Sequence, residues 1–314
     1  MSATLPLAIT VGECAGIGPE ITATAIAHFP KETFRLYTHR ALFTRACQAA
    51  QIAIPDNIIW CEQTLNASVK DIQPGIAQAA TGELAYQCVV QAGKDTLAGL
   101  NRGIVTAPFN KAALHLAGHT DVPGHTELIA RLCGREEATM AFFSPTQIIS
   151  LVTIHCALRE VSDLITETRL LRVLKDTAEA VTRVKQRRPR IGVLALNPHA
   201  GEAGAFGDEE TRVIIPTLAK AQTWADFEGP LVPDTALIAS NGATRYDAFV
   251  AMYHDQGLIP FKLHAFESGV NVTLGLPIVR TSPDHGTAFN LAWQGKASAQ
   301  SMIHAIHCAQ ELTA

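Results

Sequence analysis

The stretch FVAMYHDQG, residues 249–257, runs through five apolar or aromatic residues and then stops on His254, Asp255, Gln256 and Gly257. It reads as a buried strand that presents an imidazole and a carboxylate at its end. Two other segments do the same. QIISLVTIH closes on His155 and IGVLALNPH on His199, each imidazole following an apolar run. In open α/β sheets ligands gather beyond the carboxyl ends of strands, where loops converge on a rigid base. Three histidines at three strand ends therefore predict an α/β fold with a site assembled there.

Helical segments alternate with these strands. In TRLLRVLKDTAEAVTRVKQRRPR, Leu171, Leu174, Ala178, Val181 and Val184 recur at steps of three and four, placing one apolar stripe on an amphipathic helix. Lys185, Arg187 and Arg188 suit the C-terminal end of its dipole, and Pro189 stops it. GELAYQCVVQAGKDTLAGL reads as another helix, and GIVTAP and YDAFVAMY as strands. This alternation favours a layered α/β architecture. A chain of 314 residues exceeds one typical compact domain, so two lobes are expected, with approximate boundaries at 105 and 240. No repeat or long Ser/Gly linker separates them.

Composition narrows the class. Hydrophobic residues at 47% and charged residues at 17% describe a globular protein, and no apolar run approaches a bilayer span. The N-terminal MSATLPLAITVGE lacks a basic region before its apolar stretch, so a cytoplasmic location is expected. Seven scattered cysteines without a CxxC pair read as reduced thiols. A net charge of -4 argues against a nucleic-acid partner, since the one dense basic run, KQRRPR, closes a helix.

Neutral imidazoles suit Zn²⁺ and other divalent metals, and three protein ligands leave positions open for substrate or water. For a single histidine at a strand end, a hydrogen-bonded structural role is the better reading. Three in equivalent positions turn the balance toward a metal site, although their wide spacing matches no compact zinc motif.

VTIHCALREVSDLIT (152–166), NPHAGEAGAFGDEE (197–210), AMYHDQG (251–257) and LGLPIVRTSPDHGTA (274–288) resemble the 4-hydroxythreonine-4-phosphate dehydrogenase family of vitamin B6 biosynthesis, along nearly the whole chain. The resemblance includes the threonate and erythronate 4-phosphate dehydrogenases of that family. It implies a two-lobed α/β/α fold similar to isocitrate and isopropylmalate dehydrogenases, with the active site in the interlobe cleft. It implies a cofactor-side lobe at 1–105 plus 241–314 and a second lobe at 106–240 carrying the dimer interface. Also implied are a homodimer with a shared active site, NAD or NADP, and one divalent metal per site, zinc, magnesium or cobalt.

By the same resemblance His155, His199 and His254 match the metal ligands, with His254 reaching the partner subunit's site. His125 and Thr126 in GHTE, Lys262 in IPFKLHAF, Asn271 in GVNVTLG and Arg280 in IVRTS match substrate-binding positions. Lysine and arginine neutralise phosphate and carboxylate, while Asn, Thr and His give directional hydrogen bonds. Asp284, His285, Gly286 and Thr287 in SPDHGTA match the cofactor segment of the wider fold; the plainer alternative is a loop in which His285 caps the next helix. In TAPFNKAAL, Thr106, Asn110 and Lys111 also follow a strand, but Lys111 reads equally as a solvated first turn and stays outside the site.

Three positions depart from the family pattern. GECAGIGPE (12–20) carries Glu13 and Cys14 where the family has Asp and Pro, and it lacks the GxGxxG fingerprint. AFESGVN (265–271) puts Glu267 near an expected anion site, so either it faces away or substrate choice has shifted toward a sugar-acid phosphate. The implied reaction is NAD(P)- and metal-dependent oxidation of 4-hydroxythreonine 4-phosphate to 2-amino-3-oxo-4-phosphooxybutanoate, which decarboxylates to 3-amino-2-oxopropyl phosphate. The general base is not identified. Threonate or erythronate 4-phosphate is the alternative substrate. From other classes, a zinc hydrolase would use the same histidines on water, and a sugar-phosphate sensor would bind without turnover.

Overall fold

The structure, a computed structural model, describes residues 5–238 and 245–314. The chain begins with strands β1 (Leu7–Thr10), β2 (Phe34–Thr38), β3 (Ile58–Glu62) and β4 (Ile104–Thr106), and helices α1 (Gly18–Ala27), α2 (Arg40–Ala49), α3 (Ala79–Leu97), α4 (Lys111–Leu116) and α5 (His125–Leu132). The middle holds β5 (Thr139–Phe143), β6 (Ile148–Leu151), β7 (Arg190–Leu194), β8 (Asp226–Leu231), β9 (Ala248–Ala251) and β10 (Val270–Leu274). Its helices are α6 (Val161–Leu164), α7 (Glu167–Lys185), α8 (Ile215–Ala221), α9 (Pro233–Ala236) and α10 (His254–Ala265). β11 (Arg280–Pro283) and α11 (Gln300–Leu312) complete it.

Two compact units result. The first joins residues up to Ala138 with Leu276–Thr313, and the second is Thr139–Gly275. These dividing lines lie further along the chain than 105 and 240, because α4 and α5 pack on α3 and thereby belong with the N-terminal strands. The 240–241 boundary read from the sequence falls outside the described residues.

In the first unit the strands run β3-β2-β1-β4-β11, all parallel. β1 is buried at every position, as a parallel strand covered on both faces must be. The second unit orders its strands β10-β5-β6-β9-β7-β8; β5 is antiparallel to both neighbours and the rest pair in parallel. β9 lies at its centre with all four residues buried, and Phe249 packs in one cluster with Phe142, Ile149, Leu151, Leu258 and Phe261.

Of the stripe expected on α7, Leu174, Ala178 and Val181 are buried while Leu171 and Val184 are only half-buried, and Leu170, Val173 and Thr177 complete the buried face instead. Its start is capped by Thr166, which accepts the Arg169 N–H at 3.3 Å. The expected role of Arg187 and Arg188 at its end is corrected. Gln186 adopts a left-handed conformation (φ 52°) that turns the chain out of the helix, and the two arginines pair instead with Asp247 and Asp226, each at 2.6 Å. All seven cysteines are free thiols. Among the described residues no helix is long and apolar enough to cross a membrane.

Candidate active site

Two groups of polar side chains stand at strand ends, one in each unit. In the first unit β4 ends on Thr106 and is followed by Ala107-Pro108-Phe109-Asn110. This turn is held from behind by the N-terminal loop. Ala107 N–H donates to Thr10 O and Glu13 N–H to Pro108 O, both at 2.9 Å. Gly12 permits that approach, having φ +67° and room so tight that a Cβ would fall 2.2 Å from Pro108 O.

Arg280, the first residue of β11, is buried, and its Nε and Nη2 donate to Thr106 Oγ1 at 3.1 and 2.8 Å. Burial lowers its pKa to about 10, opposed by the Glu127 carboxylate. His125 opens α5, where unpaired backbone N–H groups favour an anion. Its ring stacks on Phe109 with centroids 3.6 Å apart, and its buried Nε2 has no hydrogen-bond partner among the described residues. Burial, followed by the nearby Arg280 charge, holds this imidazole well below its ordinary pKa. A guanidinium, a neutral imidazole and a helix N-terminus thus collect in one unit, a combination suited to an oxyanion. Thr126 follows His125 in the first turn of the same helix.

The Asp284–Thr287 segment leaves the end of β11. It is tied at both ends, with Asp284 N–H donating to Ser301 Oγ at 3.3 Å and Ile17 N–H to Thr287 O at 3.1 Å. Gly286 between them faces open space. His285 Nδ1 lies 3.0 Å from Gly286 O, and α11 starts only at Gln300, so His285 caps no following α-helix. The departures Glu13 and Cys14 are both buried. Cys14 Sγ sits 3.6 Å from Thr38 Oγ1, and burial pushes its thiol up to about 12, which leaves it an inert packing group.

In the second unit, adjacency of β6 and β9 decides which histidines meet. Leu151 pairs with Ala251 in parallel, so the chains leaving the two strands run side by side and bring His155 and His254 to 5.8 Å between ring centroids. His254 opens α10, and its Nδ1 donates to Asp255 Oδ1 at 2.7 Å, a contact that selects the tautomer protonated at Nδ1. β7 flanks β9 on its other side, but the segment after it takes a different course. His199, Ala200, Gly201, Glu202 and Ala203 all adopt left-handed backbone, and His199 packs near Phe206 at 6.2 Å.

Among the described residues no three His, Cys, Asp or Glu side chains of one chain stand close enough to hold a metal. His155 and His254 are a fitting pair of imidazole donors; a single chain does not bring His199 into a three-ligand set with them. Lys262 is half-buried on α10 and Asn271 half-buried on β10. Glu267 lies in the exposed turn between those elements.

The family model for the pyridoxal phosphate biosynthetic protein PdxA matches residues 22–309. The chain belongs to the PdxA family. A 4-hydroxythreonine-4-phosphate dehydrogenase of Geobacter metallireducens is 44% identical across 98% of this chain and 95% of its own length. The D-threonate 4-phosphate dehydrogenase of Salmonella typhimurium is 41% identical across 98% and 99%. The crystal structure of a 4-hydroxythreonine-4-phosphate dehydrogenase from Klebsiella pneumoniae superposes with a TM-score of 0.86 at 36% identity, covering 99% of this chain and all of that one. Isocitrate dehydrogenase from Methylococcus capsulatus, at TM-score 0.50 and 14% identity, shares the fold alone. This PdxA-family chain is an oxidoreductase.

Sequence reasoning missed a clamp that supports the His199 segment of this PdxA-family fold. Glu210 is buried; its Oε1 accepts the N–H groups of Leu196 and Asn197 at 2.9 and 2.8 Å, and its Oε2 accepts Asn197 Nδ2 at 3.0 Å. Gly201 belongs to the same clamp: its φ is +80°, and a Cβ there would fall 2.8 Å from Glu210 Oε2. The signal was available as paired carboxylates closing NPHAGEAGAFGDEE, but nothing local says that one of them folds back onto its beginning. Lys111, by contrast, is the exposed first residue of α4, capped by Asn110, whose Oδ1 accepts the Ala113 N–H at 3.0 Å.

Proposed function

We propose that this chain oxidises 4-hydroxythreonine 4-phosphate with NAD or NADP and one divalent metal, zinc, magnesium or cobalt. The observation that carries the reading is that one unit holds both buried Arg280, its fork fixed on Thr106 Oγ1, and His125 at the N-terminus of α5 with a buried, unpartnered Nε2, groups suited to an oxyanion. Arg280, His125 and Thr126 bind the substrate's anionic groups, with Lys262 and Asn271 adding a cation and a directional amide. His155, His199 and His254 would hold the metal, and Asp255 fixes the tautomer of His254. Bound there, such an ion would supply Lewis acidity toward the reacting hydroxyl and its neighbouring substituent.

Asp284, His285, Gly286 and Thr287 would hold the dinucleotide, which when bound would supply the acceptor for a hydride from the hydroxyl-bearing carbon, the hydroxyl proton passing to a base. The ketone then stands β to the carboxylate. Carbon dioxide departs as that carbonyl accepts its electrons, giving 3-amino-2-oxopropyl phosphate. The enzyme works in the cytoplasm as a homodimer whose subunits share the site, His254 reaching across. Ile259 and Leu263 on α10 and Phe266 at its C-terminal end, at 61%, 78% and 76% exposure, are apolar groups facing solvent on the helix that His254 opens, which supports a subunit contact there.

D-threonate 4-phosphate is the second reading, favoured by relatives of that name at 41% identity. Purified protein is incubated with each 4-phosphorylated acid and with NAD or NADP, and reduced nicotinamide is followed by absorbance. We expect turnover of one acid, abolished by a chelator and restored by a divalent metal. No nicotinamide reduction with any acid, or full turnover by demonstrably metal-free protein, would end the reading.

A further inference from the structure

We propose that Thr106 and Phe109 are positioning residues, holding the Arg280 guanidinium and the His125 imidazole in the orientation that receives the substrate's oxyanion. The proposal rests on the reading of Arg280 and His125 as substrate groups and deepens it.

The register of the parallel strands explains the first contact. Arg280 on β11 pairs with Ile104 on β4, and Thr106 lies two residues further along, on the same face. The arginine side chain therefore runs along the sheet face to the strand's end, where Thr106 Oγ1 accepts from both Nε and Nη2. One hydroxyl thus fixes one edge of the planar fork, and with it the plane in which the remaining donors lie. Thr106 is itself wholly buried, so no water competes for that oxygen.

Phe109 acts on the other member of the pair. Its ring lies nearly parallel to His125, 29° between planes, and blocks one face of the imidazole. Thr106 ends the strand that leads into the short turn bearing Phe109, and Thr10, Gly12 and Glu13 clamp that turn from behind. A strand end and a clamped turn that carry one support for each substrate-binding side chain keep the two at a fixed mutual angle, which an anion with several oxygens requires.

Thr106→Val keeps the shape and removes the acceptor; Thr106→Ser keeps the acceptor; Phe109→Leu removes the ring. Each is assayed by nicotinamide reduction with whichever of 4-hydroxythreonine 4-phosphate and D-threonate 4-phosphate the wild type turns over. Inorganic phosphate serves as a competing probe, and Arg280→Ala is run beside them. For Thr106→Val and Phe109→Leu we expect substrate KM and the phosphate inhibition constant to rise roughly tenfold. Nicotinamide KM should be unchanged and kcat should fall far less. Thr106→Ser should stay near wild type. Should Thr106→Val not fold, Thr106→Ala, which adds no methyl against the arginine, takes its place. If Arg280→Ala raises substrate KM and the Thr106 and Phe109 variants do not, the positioning proposal fails while the substrate site stands. If Arg280→Ala leaves substrate KM unchanged, the reading of the site fails with it. A Thr106 variant that raises substrate and nicotinamide KM alike would show a structural role only and overturn the proposal.

Discussion

His254 and Asp255, neighbours in the chain, are also joined side chain to side chain, Nδ1 to Oδ1 at 2.7 Å. The carboxylate holds the ring in the tautomer whose Nε2 carries the lone pair. Asp255→Asn keeps the shape and loses the charge. Zinc affinity, measured by competition with a chromophoric chelator, is expected to fall about 10- to 100-fold. The melting temperature of the metal-free protein should not change, because the Asp255 side chain is 71% exposed. Unaltered zinc affinity would rule Asp255 out as the orienting group.

Glu210 accepts three hydrogen bonds from Leu196 and Asn197. Glu210→Gln sets an amide NH₂ against one of these donors, a mismatch expected to cost on the order of 1–3 kcal/mol. Gly201→Ala should also destabilise, since its left-handed backbone and its closeness to Glu210 Oε2 leave no room for a methyl. Denaturant midpoints should fall in both variants. Because the two lesions strike one clamp, the double variant should lose less than the sum; strict additivity would argue that they act separately.

Glu13 is buried, and its pKa is raised to about 7, first by burial and against the pull of the Ala15 N–H and Thr81. A carboxyl whose folded pKa lies above its unfolded value of 4.5 holds its proton longer in the native state. Folding stability is therefore lost as pH rises from 4.5 to 7, by about 3 kcal/mol from this group. Glu13→Gln should remove that slope and melt higher than wild type at pH 8. Melting curves of the two proteins that stay parallel between pH 4.5 and 8 would contradict this.

Arg280→Ala and Lys262→Ala should each weaken substrate binding far more than cofactor binding, since a charge-assisted hydrogen bond is worth roughly 1.5–3 kcal/mol. Titration of each variant with substrate and with NAD, read by calorimetry, separates the two effects. Equal loss for both ligands would assign these cations elsewhere.

Mixing provides the test of a shared site. Inactive His155→Ala and His254→Ala proteins, once subunit exchange is verified, form heterodimers with one intact site if the two histidines serve it from different subunits. Statistical exchange should restore roughly a quarter of wild-type activity. Background activity with heterodimers present would mean that both histidines act within one chain, or that one lesion disables its neighbour at a distance, and would overturn the shared site.

The sequence by itself determined the element types and their apolar ends, because these depend on short-range periodicity. FVAMY contains a wholly buried strand, α7 shows its stripe in the spacing of Leu174, Ala178 and Val181, and each histidine follows a strand as read. What only tertiary structure decided is which ends are neighbours. His155 and His254 meet because β6 and β9 pair in parallel, a choice made by sheet order rather than by either segment. His199 follows a strand adjacent to β9 as well, yet a left-handed turn held by Glu210 sets its course. The unit boundaries were equally hidden, for helix and strand alternate through 105 without a break and only the packing of α4 and α5 on α3 shows where those residues belong. Thr106 looked like an ordinary strand terminus until Arg280, distant in sequence, was laid beside it on β11. Local pattern fixes what each segment becomes; long-range pairing fixes which side chains share a site.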